Sequence, residues 1–319
     1  MAPAIFLAPM AGITHSAFRR LISDFGGYGA LFSEMLSGSA FIHEKPGDSS
    51  FTKRRPNEGH LIYQFRLSGY ENIEAVFAKI TELEYLAIDI NLGCPAPEIQ
   101  HQESGVALFR DFDRLKSVLQ RIRKIYNGPL TVKCRLGDDK NWQKPFKDRL
   151  ALFEDNDVVA LTLHPRLSTE RLARRARWEV FPWLAQTTTI PIIGNGDICS
   201  PKEIKVHRTD FETLSGLMLG RIAIVKPWIF REFAGLNPVH INYAEVWERF
   251  YNYIQEDMPP EKAPGRVKEF THYFSGNFVF GHLLRKSIQK SKNLQEICDI
   301  TLIFLKSDPE IRVNAGIPF

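Results

Sequence analysis

Ile5-Phe-Leu-Ala-Pro-Met-Ala-Gly-Ile-Thr-His-Ser-Ala-Phe-Arg-Arg-Leu-Ile-Ser-Asp-Phe-Gly-Gly27 holds one complete strand–helix unit. Ile5–Met10 is short and almost wholly apolar, as a strand covered on both faces should be. Phe18, Leu21, Ile22 and Phe25 then fall at i, i+3, i+4 and i+7, one helical stripe, and Gly26-Gly27 stops it. The turn between them, Ala11-Gly12-Ile13, lacks the glycine-rich fingerprint that opens a doubly wound sheet. The same unit then repeats. Further strands are predicted at Ala30–Glu34, Leu61–Phe65, Leu86–Asn91, Leu130–Cys134, Val159–His164, Pro191–Asn195 and Leu217–Gly220. After the fourth, Leu115, Val118, Leu119 and Ile122 repeat the helical stripe until Asn127-Gly128-Pro129. Eight such strands with helices between them, over about 230 residues, predict an α/β (β/α)8 barrel.

Past Asn237 the alternation ends. Tyr243–Asp257 is predicted helical, Met258-Pro259-Pro260 breaks it, and Lys262–Asp308 reads as further helices. The expected organisation is a barrel over 1–240 followed by a small helical domain over 241–319. The composition, 44% hydrophobic and 24% charged, excludes a disordered, collagen-like or coiled-coil chain. A net charge of +4 permits an acidic partner without demanding one. The four cysteines, Cys94, Cys134, Cys199 and Cys298, form neither a CxxC pair nor a disulfide framework, so no metal site is expected. The first ten residues lack a basic n-region, and no apolar run approaches the roughly 18 residues of a membrane span. A cytoplasmic protein with reduced thiols is expected.

In a barrel of this kind function lies at the C-terminal strand ends. Here those ends offer Pro9-Met10, Glu34, Gln64, Asp89 and Asn91, Lys133 and Arg135, His164 and Arg166, Asn195-Gly196-Asp197, and Gly220-Arg221. Clustered at one rim, such groups call for a polar or anionic ligand. The glycine-bearing turns after the seventh and eighth strands stand where barrels bind phosphate, and Arg221 can supply a charge-assisted fork. Cys94, in Asn91-Leu-Gly-Cys94-Pro-Ala, lies on a loop beyond a strand and suits either a nucleophile or a proton donor. His164 suits either its base or a ligand to phosphate or cofactor. Cys134 and Cys298 read as inert buried thiols and Cys199 as a bystander.

The residues resemble the tRNA-dihydrouridine synthase family, FMN-dependent flavoenzymes that reduce a uridine in tRNA. The matching pieces are Leu7-Ala-Pro-Met-Ala-Gly12, Ser33-Glu-Met35, Gln64, Asp89-Ile-Asn-Leu-Gly-Cys-Pro95, Val132-Lys-Cys-Arg-Leu-Gly137, Leu163-His-Pro-Arg166, Ile193-Gly-Asn-Gly-Asp197, Met218-Leu-Gly-Arg221 and Pro227-Trp-Ile-Phe230. They run in family order over nearly the whole barrel, and Asn-x-Gly-Cys-Pro is the most specific. The chain departs from the family at Pro165, where glycine is usual, at Ser104-Gly105-Val106-Ala107, and in the Ile-Ala-Ile-Val-Lys run after Arg221.

The resemblance implies reduction of the C5=C6 bond by hydride from reduced FMN, with Cys94 as the acid. It implies that Pro9 and Met10 line the flavin ring, that Gln64 and Lys133 hydrogen-bond it, and that His164 reaches the cofactor. Asn195, Gly196, Asp197, Gly220 and Arg221 would hold the ribityl phosphate, and Asn91 and Arg135 would orient the uracil. NADPH or NADH would be the reductant and tRNA the partner of a monomer. A thiol suits the donor role, because most of it is protonated at neutral pH. Two basic stretches suit an RNA surface. One is Arg166–Arg177, with Arg171, Arg174 and Arg175. The other is Lys262–Lys292, with Arg266, Lys268, Arg285, Lys286 and Lys290, interleaved with His272, Tyr273, Phe274 and Phe278. The alternative is an FMN barrel acting on a free pyrimidine or another small molecule, which would not need the second stretch.

Overall fold

The computed structural model describes residues 4–138, 141–170, 172, 174–291 and 293–318. Eight parallel strands close into one barrel: β1 (Ala4–Leu7), β2 (Ala30–Ser37), β3 (Leu61–Arg66), β4 (Ala87–Leu92), β5 (Leu130–Arg135), β6 (Val158–His164), β7 (Ile192–Asn195) and β8 (Gly216–Leu219). Each pairs with the next, and β8 returns to β1 with Leu219 opposite Leu7. This is the (β/α)8 barrel the sequence predicts. β1 ends at Leu7, three residues short of expectation, because Pro9 has no N–H to give a ladder. β2 runs on to Ser37 through a register shift between Phe32 and Met35.

Side chains alternate across a strand, so each strand sends one set outward and one inward. The outward set, Leu31, Phe65, Ile90, Val132 and Leu163 among it, is buried beneath the surrounding helices. The inward set changes character along the barrel. Phe32, Ile62, Ala87, Ile193 and Met218 fill its lower part as a separate apolar cluster. Two positions further along the chain from these stand Glu34, Gln64, Asp89, Asn195 and, just past the end of β8, Gly220. That switch confines the polar chemistry to one end.

Local signals set the helices. Helix Ser16–Phe25 buries Phe18, Leu21 and Ile22, and ends at Gly26, whose φ of +68° suits glycine and whose N–H donates to the Ile22 carbonyl at 3.1 Å. Helix Phe112–Ile125 starts at Asp111, whose carboxylate accepts from the Arg114 N–H at 3.0 Å. After the barrel come helices Tyr243–Asp257, Ala263–Phe274, Gly281–Gln289 and Leu294–Lys306. Their core is continuous with that of the barrel. Phe250 stacks on Phe270 at 3.9 Å, and Phe18 packs against both. Buried Asp257 accepts from the Ser16 hydroxyl at 2.5 Å and from Arg55 Nε at 2.7 Å, tying the first barrel helix to the helical region.

Candidate active site

A cavity of about 220 Å³ opens at the C-terminal end of the barrel. Its walls are Pro9 and Met10 after β1, Lys133 and Arg135 of β5, His164 of β6, Asn195–Asp197 at β7, and Gly220-Arg221 after β8. Ten of the sequence-predicted residues therefore meet at one place. The Asn195 amide donates to the Met218 carbonyl at 2.9 Å, which fixes the β7 turn against β8. Gly196 has φ +109°, and a Cβ there would stand 2.7 Å from the His164 ring. Only glycine lets that backbone come so near.

The electrostatics are one-sided. Among the described residues, four cations, Lys133, Arg135, Arg166 and Arg221, face a single carboxylate, Asp197. Burial pushes Lys133 down to about 8, against the pull of nearby Asp89. Burial and the surrounding cations hold His164 well below its ordinary value, so its ring is neutral. Arg166 donates to His164 Nε2 at 2.6 Å, which leaves the imidazole proton on Nδ1. Asp197 is turned onto Arg166 at 2.5 Å and accepts the Ala176 N–H at 2.8 Å, with Arg221 3.7 Å away. Its carboxylate organises guanidinium groups, so an anion would meet those groups and the backbone.

The sequence reading counted Arg166 both at the rim and with a basic surface stretch, and only the first holds. It lines the cavity, is 1% exposed and is bound to the Leu172 and Arg174 carbonyls as well as to Asp197. Its partner lies 31 positions away, which local sequence does not reveal. Of the rest of that stretch, Arg177 is paired with Glu170, whose carboxyl it holds down to about 2. Arg174 and Arg175 are exposed, and Arg171 lies outside the described residues.

Gln64, Asn91 and Cys94 do not wall the cavity. They belong to a relay beside it. The Thr131 hydroxyl donates to Asp89 Oδ1 at 2.6 Å and Gln64 Nε2 to Asp89 Oδ2 at 2.7 Å. Asn91 Nδ2 donates to Gln64 Oε1 at 2.8 Å, and Asn91 Oδ1 accepts the Cys94 N–H at 3.0 Å. Enclosure in the barrel pushes Asp89 up to about 6. Cys94 is half-buried, and its carbonyl accepts the Val106 N–H at 3.2 Å. Gly105, the glycine that remains in the Ser104–Ala107 stretch noted above, has φ +61°, and a Cβ there would lie 2.9 Å from that carbonyl. Lys133, Arg135 and Arg66 are all electrostatic neighbours of Cys94. Sequence reasoning missed Arg66, although it ends β3 two residues after Gln64, on the same parity.

By contrast, Cys134 is fully enclosed in the outer shell, its thiol pushed up to about 12 by burial. Glu34, buried, accepts the Gly12 N–H at 2.6 Å. Gly12 has φ +79°, and a Cβ there would overlap the Arg266 guanidinium of helix Ala263–Phe274. Arg266 therefore lies over the barrel mouth. Lys262, Lys286 and Lys290 are exposed, and Lys292 lies outside the described residues. Lys268 donates to the Ser291 carbonyl at 2.6 Å, and Arg285 to the Ser275 hydroxyl at 3.1 Å. Phe274 and Phe278 are 0% and 1% exposed, core residues and not a stacking surface.

Fold and site together describe a barrel whose rim gathers cations around a cavity, with a loop-borne thiol beside it. Residues 6–305 match the dihydrouridine synthase (Dus) family, and the chain belongs to it. It is 32% identical to tRNA-dihydrouridine synthase B of Pasteurella multocida over 234 residues, 73% of this chain and 69% of that one. It is 33% identical to tRNA-dihydrouridine synthase B of Salmonella typhimurium over 233 residues, 72% and 70% of the two chains. Among solved structures it is similar to the old yellow enzyme homologue from Zymomonas mobilis, with a TM-score of 0.52 at 12% identity over 78% of this chain and 94% of that one. At that identity the likeness speaks for the fold alone. Among the described residues no helix is long and apolar enough to cross a membrane.

Proposed function

We propose that this protein is a tRNA-dihydrouridine synthase that reduces the C5=C6 bond of a uridine in tRNA, with FMN as cofactor, NADPH or NADH as reductant and Cys94 as proton donor. The observation that carries this reading is the cationic cavity closed by the β7 and β8 turns, with the Cys94 loop beside it. The residues suit a flavin nucleotide in three ways. Four cations face one carboxylate, Gly196 has no room for a side chain, and the buried Thr162 hydroxyl, opposite Lys133 in the ladder, lacks a partner.

Arg221 and Arg166, with the Asn195–Asp197 and Gly220 backbone, would hold the phosphate, and Pro9 and Met10 would line the ring. When bound, the flavin supplies the hydride. Lys133 would set positive charge beside the ring, where reduced flavin is anionic, and neutral His164 would hydrogen-bond the cofactor. Gln64, held by Asp89, positions Asn91, which in turn positions the Cys94 loop. Cys94 would give its proton to C5, and Arg135 would orient the uracil. A uridine in folded tRNA must be flipped out to reach such a pocket. The helical region 241–319, with Lys262, Lys286 and Lys290 exposed, would grip the backbone around it. The test compares substrates. The purified, FMN-loaded protein with NADPH should form dihydrouridine in tRNA and leave free uridine unreduced, whereas reduction of free uridine alone would identify a small-molecule enzyme.

A further inference from the structure

One wall of the cavity does not come from the barrel. Ile317 lines it, together with Arg221 and Ile222 of the barrel. The segment that carries Ile317 is laid down on the turn Ser275–Asn277 and the two residues after it. Ile311 forms an antiparallel bridge with Phe278. The Arg312 N–H donates to the Asn277 carbonyl at 2.8 Å, and its guanidinium donates to the Phe278 carbonyl at 2.9 Å. The Gly316 N–H donates to the Gly276 carbonyl at 3.0 Å. The chains run so close at that last point that a Cβ on Gly276 would overlap the Gly316 carbonyl oxygen. Asn277 also donates through Nδ2 to the Val225 carbonyl at 2.6 Å. Val225 ends the short helix that begins at Arg221. The turn thus braces both the barrel element bearing the phosphate-site arginine and the segment bearing Ile317.

We infer that Ile317 is a cofactor-retaining residue, brought to the flavin cavity by residues 311–318, so that the helical region completes the cofactor site as well as facing RNA. An apolar side chain at the edge of a cationic cavity keeps water from the charged wall, where pairing with an anion is stronger the less water is present. This inference rests on the flavin reading above. Its test is the rate of FMN release from the loaded protein, followed by recovery of flavin fluorescence on dilution. Ile317→Asp should release FMN roughly tenfold faster, about 1.4 kcal/mol of retention, with the thermal midpoint of the cofactor-free protein unchanged. Ile317→Leu should restore slow release. Gly276→Ala, which pushes the segment away at the turn, should also speed FMN release. Release from a folded Ile317→Asp within twofold of wild type would overturn the inference alone. A wild-type chain that takes up no FMN would overturn the flavin reading and the inference with it.

Discussion

Cys94 and Cys134 show how place decides the chemistry of one residue type. Cys134 faces outward from β5 and is sealed under helices, whereas Cys94 stands on a loop in the field of Arg66, Lys133 and Arg135. Cys94→Ala should still bind FMN and accept hydride from NADPH, yet lose turnover on tRNA by roughly 10²–10⁴-fold, the usual weight of a positioned acid. Cys134→Ala should keep most activity. Equal turnover of Cys94→Ala and wild type would remove the thiol from the reaction. Lys133 gives a pH signature. Its low value leaves it charged below about pH 8 and neutral above. If the charge favours flavin, FMN affinity should be flat below pH 8 and fall above it, by at most about tenfold per pH unit. Titration of binding between roughly pH 6.5 and 9.5 checks the sign, and Lys133→Met should abolish the slope. Most of the rim was legible because strand ends are legible. Arg166 was legible there too, but its pairing with Asp197 across two strand ends was not.

Among the elements, the barrel strands were readable because burial on both faces leaves short apolar runs. The helical stripes were equally plain. Phe274 was misplaced for a physical reason: Val267, Phe270, Thr271 and Phe274 fall at i, i+3, i+4 and i+7 and are all buried. A stripe of that spacing packs inward, so its aromatics are unavailable to bases. The same geometry sorts the basic residues. Arg285 supports Ser275, and Lys268 closes the end of helix Gly281–Gln289, while Lys286 and Lys290 remain exposed. Neutralising Lys286 and Lys290 together should weaken tRNA binding and lower the slope of log affinity against log salt by roughly 0.7–0.9 for every phosphate that is no longer neutralised. Affinities at several salt concentrations measure this, with flavin content as the control. An unchanged slope would place the RNA-binding surface elsewhere.

For the whole molecule, the change of character near residue 240 was plain in sequence, but the shared core was not. Phe18, Phe250 and Phe270 meet only in three dimensions, as do Asp257, Ser16 and Arg55. Barrel and helical region should therefore unfold in one transition. Asp257→Ala, which leaves the buried Ser16 hydroxyl unpaired and takes the counter-charge from partly exposed Arg20 and Arg55, should lower stability by roughly 1–3 kcal/mol, read as a shifted midpoint in urea. Two separate transitions in the wild type would contradict the shared core. On the proposed function, that shared core would also set where exposed Lys286 and Lys290 stand relative to the cavity, and so which uridine of a bound tRNA could reach Cys94. The most direct test of the account is therefore made on RNA. A tRNA lacking dihydrouridine is incubated with the FMN-loaded protein and NADPH, and its uridines are mapped. The account predicts dihydrouridine at a defined position, absent with Cys94→Ala. Bound and reduced flavin with no dihydrouridine anywhere in the tRNA would contradict it.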